Sequence, residues 1–104
     1  MIEYTITVSG KKKKLPIMEF SDKQYDLIGE MLLAERSFLS KIKKFLNDEN
    51  ETEFSGNVFC ISKNDSLIHI ENEVNDCEIS VTQDDFSNLL NAYYSEYKKL
   101  KKKK

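Results

Sequence analysis

The chain has 104 residues with 16 basic and 18 acidic side chains, one histidine and two cysteines, for a formal net charge of −2. That length supports one domain, and a 39% hydrophobic fraction with six Phe and five Tyr supplies a core, which excludes a disordered chain. No apolar run approaches the roughly 20 residues of a membrane span, and residues 1–8 alternate in polarity unlike a secretion signal, so a cytoplasmic protein with reduced thiols at Cys60 and Cys77 is expected.

In chain order, Ile2, Tyr4, Ile6 and Val8 alternate with Glu3, Thr5 and Thr7, the period of a half-buried strand. Ser9-Gly10 and the lysines at 11–14 read as an exposed turn, and residues 15–20 as a returning strand. Pro16 there lacks an amide donor and requires an edge or first position. Ser21, followed by Asp22, is the expected cap of one long helix over residues 23–47, with Gly29 its only weak point. Tyr25, Ile28, Met31, Leu32, Phe38, Leu39, Ile42, Phe45 and Leu46 form its apolar stripe, and residues 47–55 an acidic loop.

Three strands are then expected over residues 57–63, 66–71 and 77–81, joined by Asn64-Asp65 and by a turn at 73–76. Thr82 caps a final helix with Asp84 and Asp85 in its first turn and Phe86, Leu90, Tyr93, Tyr97 and Leu100 on its buried stripe. Tyr94 lies to one side as a candidate interface anchor. The order ββαβββα predicts an α+β domain over residues 1–100, an antiparallel sheet of four or five strands with two helices on one face, followed by a lysine tail at 101–104.

With Asn64-Asp65 as the turn, Phe59 opposes Ile70 and Ile61 opposes Ile68 on the core side, while Cys60 opposes His69 and Val58 opposes Glu71 on the other. In the third of these strands Cys77, Ile79 and Val81 point inward. The expected outer face is thus Val58, Cys60, Leu67, His69, Glu71, Glu78 and Ser80.

Charge is strongly segregated. Residues 1–47 carry nine bases and six acids, residues 48–97 carry twelve acids and only Lys63, and residues 98–104 carry six lysines. The central segment is a poor nucleic-acid surface, because phosphates need Lys and Arg. No catalytic, metal or cofactor motif is present. Cys60 opposite His69, near Glu78 or Ser80, superficially resembles a nucleophile and base but has no oxyanion hole. Asp48, Asn50 and Thr52 are spaced like the start of a calcium loop, which Glu53 and Phe59 then break. A non-enzyme without cofactor is expected.

Glu49, Glu51, Glu53, His69, Glu71, Glu73, Asp76, Glu78, Asp84 and Asp85 form the candidate partner-binding set, suited to a basic protein such as a nuclease whose active site must hold phosphate. In size, in this acidic segment and in the ending VTQDDFSNLLNAYYSEYKKL, the chain resembles small bacterial toxin-immunity proteins of contact-dependent inhibition systems. That resemblance implies a cytoplasmic inhibitor of a toxin and transfers no specific residue. Two other readings compete: a structural or adaptor subunit, monomeric or homodimeric, and a weak nucleic-acid binder through the lysine runs. No membrane partner is expected.

Overall fold

A computed structural model describes residues 2–10 and 14–102. Strands β1 (Tyr4–Ser9) and β2 (Leu15–Phe20) form an antiparallel hairpin, a two-stranded sheet by itself. Helices α1 (Asp26–Ala34) and α2 (Leu39–Asn47) follow, then strands β3 (Glu53–Ser55), β4 (Phe59–Asn64), β5 (Leu67–Asn72) and β6 (Glu78–Thr82), and helix α3 (Gln83–Lys102). The last four strands make an antiparallel sheet in the order β3-β4-β5-β6. The α+β class and the antiparallel strands are as expected, with the six strands divided between two sheets. Both α1 and α3 touch each sheet.

The core joins Met18 of β2, Ile28, Met31 and Leu32 of α1, Leu39, Ile42 and Phe45 of α2, Phe59, Ile61, Ile68, Ile70 and Val81 of the larger sheet, and Phe86, Leu89, Leu90 and Tyr93 of α3. Among the described residues each strand of this ribbon has one edge without a strand partner, and Pro16 turns its nitrogen to that side, so its missing N–H breaks no ladder bond. Its carbonyl accepts the Tyr93 hydroxyl at 2.8 Å, tying the hairpin to α3.

Several expectations are corrected. The long helix is two helices: the chain turns at Glu35 (φ −103°, ψ 22°) through a 3-10 turn at Arg36–Phe38, because the Glu35 side chain is drawn away to the larger sheet. The first cap is Asp22, not Ser21; its carboxylate accepts the Gln24 N–H at 3.1 Å and opens a 3-10 turn at Lys23–Tyr25. Part of the supposed acidic loop is β3. Between β4 and β5 the turn residues are Asp65 and Ser66, not Asn64 and Asp65, since Asp65 takes the left-handed conformation (φ 56°) that Asp tolerates. Lys101 and Lys102 continue α3, and the rest of the expected tail lies outside the described residues, as do Lys11 to Lys13 of the first turn.

Candidate functional site

Moving the turn by one residue displaces the β4–β5 pairing by two positions, so pairs change but faces do not. Ile61 opposes Ile70, Cys60 opposes Glu71, and Ser62 opposes His69. The expected Cys60–His69 pair is therefore absent, and Cys60 lies 3.9 Å from the Ser55 hydroxyl. Cys77 precedes β6 and is exposed, and Val58 packs partly against the core; both depart from their expected sides.

The outward face of the larger sheet carries three rows. One runs Glu53, Ser62, His69, Ser80, the next Ser55, Cys60, Glu71, Glu78, and a third Asn64, Leu67, Thr82. None contains Lys or Arg. The main-chain bond from Asn72 N–H to Cys77 O (2.8 Å) fixes the alternation along β5 and β6. Glu71–Glu78 and His69–Ser80 are then non-hydrogen-bonded pairs, whose side chains lie closest. His69 Nδ1 sits 2.9 Å from Ser80 Oγ and its Nε2 3.7 Å from Glu78 Oε1. The hydroxyl and carboxylate orient the imidazole on a face open to solvent.

Of the ten candidate residues, Glu53, His69, Glu71 and Glu78 share this face. Glu49 and Glu51 lie in the chain leading into β3, their backbone shaped by Asp48, whose Oδ1 accepts the Asn50 N–H at 2.9 Å. Glu73 and Asp76 project from the β5–β6 turn at one end of the sheet. Asn72 builds that turn by accepting the Val74 and Asn75 amides, and Asp76 takes φ 60°. Asp84 and Asp85 stand at the other end, at the start of α3, where Thr82 Oγ1 caps the Asp85 N–H at 3.1 Å. Asp84 and Asp65 both line an open depression of about 490 Å³ there. The set thus divides into a sheet face with the approach to one edge and two separate ends.

Two residues outside that set organise it. Lys63 faces inward: its ammonium donates to Phe45 O and Asp48 O, both at 2.6 Å, and lies 4.4 Å from the Phe45 ring centre. It caps the C-terminus of α2, where a cation is favoured. Glu35 is fully buried, and its carboxylate accepts the N–H groups of Asn57, Val58 and Phe59 at 2.7, 2.8 and 3.1 Å. It thereby fixes the turn between β3 and β4. The signal for Glu35 was its place on the apolar stripe, seven residues after Ile28 and seven before Ile42, where an unpaired charge has no business in a core.

Among the described residues no cluster of His, Cys, Asp and Glu could hold a metal ion, and no helix is long and apolar enough to cross a membrane. Scanned against protein-family models, curated proteins and solved structures, the chain matches none.

Proposed function

We propose that the protein is a non-enzymatic binding protein whose acidic sheet face engages a basic partner, as an inhibitor or immunity protein would engage a nuclease toxin. The observation that carries this reading is the distribution of charge on the sheet. Glu53, Glu71 and Glu78 lie on one face without Lys or Arg, while Lys63, the only Lys or Arg between residues 48 and 97, is turned inward and bound to main-chain carbonyls. Such a face offers carboxylates where a nuclease site offers Lys and Arg to phosphate. Complementary fields accelerate association, and the small residues Ser55, Cys60, Ser62 and Ser80 leave room for long cationic side chains to reach the sheet.

The test compares the wild-type protein with Glu71→Lys/Glu78→Lys, each immobilised and exposed to nuclease-treated host lysate at low and moderate salt. A basic protein retained by the wild type and lost by the variant, with equal melting temperatures, supports the reading. A partner retained equally by both overturns the role of this face, and nucleic acid lost with rising salt moves binding to the lysines.

A further inference from the structure

Strand β1 differs from the other strands at the sheet edges. Over Tyr4–Ser9 it carries no charged residue, proline or glycine, and among the described residues its far edge has no partner. Protein edges are ordinarily blunted by charge, proline or shortness. Strand β2 carries Pro16, β3 is three residues long with exposed Glu53, and β6 carries exposed Glu78. Tyr4 and Val8 are 39% and 52% exposed, among the few large apolar side chains left to solvent.

The main-chain alternation decides which groups lie open. Ser21 N–H donates to Glu3 O at 3.3 Å, continuing the β1–β2 register, so Glu3 and Ser21 form a hydrogen-bonded pair. By alternation Thr5, Thr7 and Ser9 bond to β2, whereas Tyr4, Ile6 and Val8 turn their N–H and C=O groups to the free edge. Pro16, opposite Val8, fits the same pattern: its donorless nitrogen and its Tyr93-bound carbonyl both point away from β1.

We propose that β1 pairs antiparallel with β1 of a second copy of this chain, Ile6 opposite Ile6 and Tyr4 opposite the second copy's Val8. In this register each of the three open residues faces another open residue, so every open donor and acceptor on the edge is satisfied at once. Tyr4 covers Val8 across the two-fold axis, and Thr5 stands opposite Thr7, a favourable cross-strand pair. The two hairpins become one four-stranded sheet. The interface is isologous, as a two-fold dimer requires, and it uses a different sheet from the acidic face.

The experiment measures sedimentation of the full chain from micromolar to millimolar concentration, with amide hydrogen exchange at both extremes. A concentration-dependent dimer is expected, in which exchange at Tyr4, Ile6 and Val8 slows about tenfold or more while Thr5 and Thr7, already bonded to β2, change less. Tyr4→Lys/Val8→Lys places lysine opposite lysine and gives a monomer of unchanged fold. Tyr4→Glu/Val8→Lys places opposite charges together and restores the dimer. A monomer throughout, or a dimer whose Tyr4, Ile6 and Val8 amides exchange as fast as in the monomer, overturns the proposal. Failure of the charge-swapped pair to associate overturns the register.

Discussion

Glu35 and Gly56 occupy one space: the Glu35 carboxylate stands where a Cβ at position 56 would be, and from there it gathers the three amides that follow Gly56. Among the described residues no cation pairs with this buried carboxylate, and those three donors hold it in place. Glu35→Ala strands buried N–H groups and is expected to cost about 3 kcal/mol in urea unfolding. Gly56→Ala forces the carboxylate out of its seat and is expected to cost about 2 kcal/mol. Because both act on the same contact, the double variant loses less than the sum of the two, which a double-mutant cycle measures.

Burial pushes the Tyr93 hydroxyl up to about 12; the Arg36 charge opposes that rise and Tyr97 adds to it. An unfolded tyrosine titrates near 10. The folded state therefore favours the protonated phenol, and this contribution is complete below pH 10 and is lost as pH rises toward 12, on the order of 2 kcal/mol. Tyr93→Phe gives up the bond to Pro16 O, about 1 kcal/mol at neutral pH, and with it that part of the alkaline decline. Unfolding free energies of both proteins across this pH range provide the comparison.

Glu71 and Glu78 are like charges directly opposed on the sheet. Glu78→Lys turns that repulsion into attraction and is expected to raise stability by roughly 0.2–1 kcal/mol at pH 8 and low salt, with the gain shrinking as salt is added. If the face binds a basic partner, the same variant slows association, so stability and association rate move in opposite directions. Thermal unfolding and stopped-flow binding read the two effects separately.

Lys63→Met keeps much of the side-chain volume but removes the ammonium from Phe45 O and Asp48 O. The end of α2 then loses its cation and two charge-assisted bonds. A loss of about 1–2 kcal/mol in chemical denaturation is expected. A neutral effect would mean that water replaces the ammonium without cost.

Every strand but β3, and the final helix, were legible because their patterns are local: alternation in β1 and β4–β6, and Thr82 before an apolar stripe. Even Gly29, read only as a weakness in a helix, marked a real contact. Met18 O of β2 lies 2.6 Å from where a Cβ would stand, so the hairpin can cross α1 only at a glycine. What was not legible depends on distant partners. The corner at Glu35 is made by amides more than twenty positions later, and nothing in the neighbouring Arg36-Ser37-Phe38 disfavours a continuous helix. The β4–β5 pairing moved because Asn64-Asp65 and Asp65-Ser66 are both plausible turns, and an even displacement keeps Phe59, Ile61, Ile68 and Ile70 on the core side in either register. Because the displacement is even, Cys60, Leu67, His69, Glu71, Glu78 and Ser80 keep the outward face expected of them, and Val58 alone leaves it for the core. Membership of Glu53 in the face was missed because three residues of β3 are too few to show a period.

The bond from Tyr93 to Pro16 spans 77 positions of sequence, and it bears on the order in which the molecule assembles. The β1–β2 hairpin closes locally, but its docking surface includes α3, which is synthesised after the other elements described above. During translation α1 can cover part of the hairpin early, but the part of β2 that meets α3 stays uncovered until α3 is available. Loop closure over that distance makes its docking a late step, and the nascent chain is most exposed to misassociation in the interval before Tyr93 reaches Pro16.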